Sequence, residues 1–120
     1  MKYLLVLHLN PEVMDALSED EKQAIFSGHD KFIAAVTDSG EMRGTVALAE
    51  PAKSAVVRVR DGAPAVTDGP YLESKEFLAG YYLLECETPE RAHELAAMIP
   101  DASLEGMGVE VRPVVHSVDV

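Results

Sequence analysis

At 120 residues the chain can build one core covered by about two helices but no second substrate domain, so a deep pocket must lie between layers or between subunits. Its 21 acidic against 10 basic residues leave a net charge of -11, which repels phosphate backbones and anionic lipid surfaces and argues against nucleic acid and membranes as partners. One cysteine, Cys86, excludes an intrachain disulfide and a cysteine-based metal site, and suggests a reducing, cytoplasmic setting.

The opening MKYLLVLHL carries one positive charge, is interrupted by His8 and has no small-residue cleavage site, so it reads as a strand and not as a signal peptide. No run reaches the ~20 apolar residues of a membrane helix. From Lys2 to Leu9 both parities are apolar, Tyr3, Leu5, Leu7 and Leu9 against Leu4 and Val6, which fits a strand buried on both faces. Ser18 with Glu21 forms a capping box, and the spacing predicts a helix from there to about Asp38, stopped by Gly40. Its apolar stripe of Ile25, Phe32, Ile33 and Val36 passes through position 29, which puts His29 on the buried face.

Two strands follow, roughly Glu41 to Ala49 and Ser54 to Arg60, with Arg58 and Arg60 on one face of the second. Asp61-Gly62 is a turn signal, and Pro64 to Thr67 returns as a short hairpin arm. After Asp68-Gly-Pro-Tyr71 and a charged loop, a strand from Gly80 to Cys86 alternates Tyr82, Leu84 and Cys86 against Tyr81, Leu83 and Glu85. Thr88-Pro89-Glu90 opens a second helix that runs to about Met98, and Val109 to Val115 alternates as a last strand. This order predicts a single α+β domain over residues 1–120, a ferredoxin-like antiparallel sheet with two helices on one face. The uncovered face then needs a partner, and a second copy of the same sheet predicts a homodimer.

The stretch VRVRDGAPAVTDGPYLESKEFLAGYYLLE, with the opening MKYLLVL and the closing VEVRPV, resembles the DGPF group of the YCII-related proteins. The resemblance covers nearly the whole chain and implies a ferredoxin-like subunit that pairs into a dimeric α/β barrel. It also implies a function in one of two classes. The wider family carries a helix histidine and an aspartate suspected of catalysis, includes a dehydrochlorinase, and shares its architecture with muconolactone isomerase-like proteins. DGPF proteins are also commonly encoded beside extracytoplasmic-function sigma factors, which implies a regulatory module with a sigma factor or other basic protein as partner. His29 falls at the position of the family histidine. The family aspartate often precedes a proline after the second helix, whereas here Ile99 precedes Pro100 and Asp101 follows it, so Asp68 is the acid this reading prefers.

His29 with Asp68 as orienter or acid could support a cofactor-independent isomerisation or elimination by proton transfer. Alternatively His29 is a core histidine satisfied by a backbone carbonyl or a water, and Asp68 an ordinary turn residue before Gly69-Pro70. Lys75, Arg58 and Arg60 are the cations nearest this loop in sequence and candidate anchors for a small anionic ligand, with Tyr71 as a further candidate contact; pairing with Glu73, Glu76 or Glu85 on a solvated face is the competing reading. Tyr71, Tyr81 and Tyr82 read most simply as core or interface residues with wet hydroxyls. His8 and His116 end the first and last strands and, if these pair antiparallel, lie at opposite ends of the sheet; His93 reads as a flank residue, so no metal site is expected. No glycine-rich loop precedes a helix to cradle a phosphate, and no cofactor is expected.

Overall fold

The computed structural model of the chain describes residues 1–71 and 76–119. Its organising strand is β1 (Lys2–Leu9), which pairs antiparallel on one side with β5 (Phe77–Glu85) and on the other with β6 (Gly108–Pro113). β2 (Met42–Ala47) pairs antiparallel with the outer edge of β5, giving the order β2-β5-β1-β6 of a ferredoxin-like sheet. Register brings Tyr3 opposite Leu84 and Leu5 opposite Tyr82, and these four side chains are buried beneath the helices.

The main helix, α2 (Glu19–Asp38), begins at a capping box: Ser18 Oγ accepts from the Glu21 amide at 3.1 Å, and the Glu21 carboxylate accepts from the Ser18 amide at 3.0 Å. The bond from the Ser18 amide, and then the nearby Ser18 hydroxyl, hold the Glu21 carboxyl below its usual range. The helix ends where Gly40 takes a φ of 80°, with Gly40 N–H donating to Thr37 O and Glu41 N–H to Val36 O, a Schellman closure that turns the chain into β2. α3 (Pro89–Ala97) is capped by Thr88, whose side chain accepts from the Arg91 amide. Phe32 and Val36 of α2 and Ala92, Leu95 and Ala96 of α3 close the core over Tyr3, Leu5, Tyr82 and Leu84. Bidentate contacts from Arg91 to Glu41, 3.0 and 2.9 Å, tie α3 to the entrance of β2.

The boundaries differ from the sequence reading where regularity is weakest. A one-turn helix, α1 (Pro11–Asp15), follows β1, capped by the Asn10 side chain on the Glu12 amide; five residues are too few to show a helical period. The chain from Pro100 to Ser103 forms a 3-10 turn, and β5 starts at Phe77, three residues before the expected Gly80. β3 (Ala55–Arg60) and β4 (Ala63–Asp68) form a separate two-stranded sheet whose turn has Asp61 and Gly62 both at positive φ, as an Asp-Gly hairpin requires. Among the described residues no helix is long and apolar enough to cross a membrane.

With the helices on one side, the other face of the sheet presents Leu4, Val6 and His8 of β1 and Tyr81, Leu83 and Glu85 of β5. Glu110, opposite Val6 on β6, accepts from His8 Nε2 at 2.7 Å and from Arg112 Nε at 2.9 Å, so these three side chains are paired with one another.

Candidate active site

α2 carries His29 between Ile25 and Ile33 on the side of the helix that meets the sheet. Its ring is only partly exposed and both nitrogens are engaged: Nε2 lies 2.7 Å from Asp101 Oδ1 and Nδ1 lies 2.7 Å from the Tyr82 hydroxyl. The Asp101 side chain is 5% exposed. An ionised carboxylate only accepts hydrogen bonds, so in the neutral imidazole Nε2 carries the proton, Nδ1 is the acceptor, and Tyr82 donates to it. The result is a chain Asp101···H–Nε2, Nδ1···H–O Tyr82. Tyr82 is held in turn by packing, with its ring 5.9 Å from His29 at 21° and edge-on to Phe32 at 4.8 Å.

Asp101 reaches this position through a backbone device. Pro100 opens the 3-10 turn and lies so close to α2 that a Cβ on Gly28 would be 2.4 Å from Pro100 Cγ. The bare Cα at 28 therefore lets the turn dock directly beneath His29. Gly28→Ala should destabilise the fold by about 1–3 kcal/mol, because overpacking against a rigid proline ring outweighs alanine's better helix propensity. Urea unfolding measures that loss, and the histidine NMR spectrum should show His29 perturbed as the turn backs away.

Burial, and then the charges of Asp101 and Asp30, push the Tyr82 phenol up to about 12. Tyr82 is thus a proton donor throughout the physiological range and not a phenolate base. Since its ordinary value is 10.0, stability should be intact below about pH 10 and decline between there and about pH 12, where the unfolded phenol ionises and the folded one resists. The loss should approach about 2–3 kcal/mol. Comparing the alkaline unfolding of wild type with Tyr82→Phe isolates it, and the late component of the phenolate absorbance titration should vanish in the variant.

The His29 ring opens on a cavity of about 460 Å³ between α2 and the sheet. Its walls are Leu7 and Leu9 of β1, Met14 of α1, Phe26 and Ile33 of α2, and Met107 before β6. Gly80 forms the floor on the β2 side, where a Cβ would be 2.4 Å from Val46 O; glycine lets the two strands and the cavity coexist.

The other sequence candidates lie elsewhere. The carboxylate at His29 is Asp101, not Asp68: the hairpin register places Asp68 at the end of β4 opposite Ala55, exposed and outside the cavity lining. Arg58 is exposed on β3, its guanidinium 5.4 Å from the centre of the Tyr71 ring, so these two do come together, but on the arm and apart from His29. Tyr71 also lines a second cleft of about 650 Å³ at the base of the arm, with Lys53, Pro70 and Phe77. Lys75 falls outside the described residues. Tyr82, read as a core residue with a wet hydroxyl, is buried with its hydroxyl committed to His29.

Cys86 is buried and its thiol is shifted up, chiefly by that burial, which suits an inert side chain. The antiparallel pairing sets His8 opposite Gly108, while Val114 bonds to Lys2 at the far end, so His8 and His116 are separated by the length of the sheet. Among the described residues no group of three or more His, Cys, Asp and Glu side chains is placed to hold a metal ion.

A ferredoxin-like antiparallel sheet with a largely buried His-Asp pair under its helical layer defines a small α+β domain with an interlayer site at that pair. The chain belongs to the YCII-related domain family, whose model matches residues 1–117. It is also similar to an uncharacterized protein of Rhizobium meliloti (strain 1021), 26% identical over 113 residues that cover 94% of this chain and 91% of that protein.

Proposed function

We propose that the chain is a cofactor-independent lyase or isomerase that moves a proton at a carbon next to a carbonyl or similar activating group. The observation that supports this best is the linked Asp101, His29 and Tyr82 at the edge of an apolar cavity. Asp101 fixes the tautomer and stabilises the imidazolium, Nδ1 of His29 takes the proton once ligand displaces the Tyr82 hydroxyl from it, and that hydroxyl then donates to the oxygen on which negative charge develops. The reading of the protein as an interaction module, with a sigma factor or another basic partner on its acidic surface, needs no cavity at His29 and draws no support from one.

Within the YCII-related family we place the chain in the DGPF group on Asp68-Gly-Pro-Tyr71, and we assign it a cytoplasmic homodimer joined through the open sheet face. The buried thiol of Cys86 suits a reducing compartment.

A proton-transfer enzyme exchanges the labile hydrogen of its substrate with solvent even when no net product forms. Incubating the protein in deuterium oxide with a panel of ketones, lactones and keto acids, and following deuterium incorporation by NMR, therefore tests the function. Enhanced exchange on one member of the panel, lost by at least about 100-fold in His29→Gln, is the expected result. Exchange that is equal in the variant removes His29 as the base.

A further inference from the structure

The sequence suggested an anionic ligand anchored by Lys75 or Arg58. From the cavity wall we infer the opposite chemistry: the site takes an uncharged, predominantly apolar small molecule with a single hydrogen-bonding end. This deepens the proposed function by naming its ligand class.

The argument begins with what the wall lacks. Among the described lining residues there is no lysine or arginine, and the ionisable side chains are His29, Asp101 and Tyr82, already bonded to one another. A carboxylate brought inside would leave water without a compensating cation and would sit near the buried Asp101 charge. At longer range, the net charge of -11 repels anions before they arrive. A cation fares no better, because the one carboxylate available is 5% exposed and is aimed at His29.

What the wall does present is hydrocarbon with one polar corner. Leu7, Leu9, Ile25 and Ile33 supply aliphatic surface, and Met14 and Met107 supply flexible thioether walls that adjust to irregular shapes. Phe26, 61% exposed, stands at the rim, so occupancy would also cover an otherwise open aromatic ring. The hydroxyl of Thr45 is spent on the Tyr81 carbonyl at 2.9 Å, which leaves Tyr82 and His29 as the polar end. A volume of about 460 Å³ matches roughly fifteen water-sized units, the scale of a one- or two-ring molecule.

The test uses matched probes of similar shape: acetophenone, cyclohexanone and 2-tetralone as neutral ligands, benzoate and benzoylformate as anions, and benzylammonium as a cation. Ligand-observed NMR measures affinity, while ¹³C-methyl signals of Met14 and Met107 report position. The neutral probes should bind at least about 10-fold tighter than the charged ones and shift both methionine methyls. Ala47→Phe, a substitution at an exposed strand residue that borders the cavity, should fill the space and weaken neutral binding by at least about 10-fold in a protein that still melts cooperatively.

His29→Gln separates the two proposals. It should abolish solvent exchange, while the apolar wall it leaves untouched should still favour the neutral probes over the charged ones by at least about 10-fold. Neutral binding without exchange in wild type would remove the enzymatic reading and leave the ligand class standing. Anions binding as tightly as the neutral probes, neutral binding unmoved by Ala47→Phe, or no neutral probe binding at all would each overturn the ligand class, and exchange on an anionic substrate would then preserve the function alone.

Discussion

Asp101→Asn should lower the solvent-exchange rate on any active carbon acid by about 100- to 10,000-fold while the protein stays folded. The substitution keeps the shape of the side chain and removes what the mechanism needs from it. A carboxylate can only accept, so it dictates that Nε2 of His29 bears the proton and leaves Nδ1 free to take one. An amide offers an oxygen or an NH₂ group, so both imidazole tautomers become available, and its neutral dipole stabilises the imidazolium far less than a nearby full charge. ¹⁵N NMR of labelled histidine reads the tautomer directly: His29 should be Nε2–H in wild type and mixed or inverted in the variant. Stability should change by only about 1 kcal/mol, because the bond at Nε2 is weakened and not lost. Asp101→Ala is the harsher control, in which a buried donor is left unsatisfied at a cost of about 1–3 kcal/mol. An exchange rate unaltered in Asp101→Asn, together with a shifted tautomer, would show that the pair orders the core without taking part in chemistry.

How much of this was legible beforehand depends on the range of the signal. His29 could be found because a helix repeats every 3.6 residues and the stripe from Ile25 to Val36 runs through it. Strand alternation likewise placed Tyr82 on the same face as Leu84 and Cys86, all buried. The partners of those residues could not be found in this way. Asp101 meets His29 across 72 positions, in a 3-10 turn with no period, and the docking depends on a missing Cβ at Gly28 against the ring of Pro100. Asp68 drew attention because charge is dense around it in sequence. The hairpin register then fixed it opposite Ala55 on a separate two-stranded sheet, a placement that alternation within one strand does not reveal. The clue that could have redirected the choice was the proline beside Asp101, since Pro100 presets the backbone of a tight turn directly after α3.

The open face of the sheet leads to the second large effect, on assembly. Leu4 and Leu83 face one another across β1 and β5, with Tyr81 beside them, and these three are partly exposed on the face away from the helices, whereas Val6 between them is already buried within the subunit. For a chain of this size such a surface is most readily buried by an identical one, through a two-fold axis on which every contact is made twice. Leu83→Asp should therefore weaken the proposed homodimer by about 1,000-fold or more, because symmetry would place two uncompensated carboxylates in one interface at about 2–5 kcal/mol each. The donors His8 and Arg112 offer no relief, as both are already bonded to Glu110, whose carboxyl they hold below its usual range, His8 first. Sedimentation equilibrium would give the association constant and circular dichroism would confirm that the fold survives. A wild-type protein that sediments as a monomer at micromolar concentration would end the dimer proposal outright. The same variant also tests the independence of the site: Leu83 points away from the helical layer, whereas its neighbours Tyr82 and Leu84 point into it. If the cavity is built within one subunit, the His29 tautomer and neutral-ligand binding should persist in the Leu83→Asp monomer.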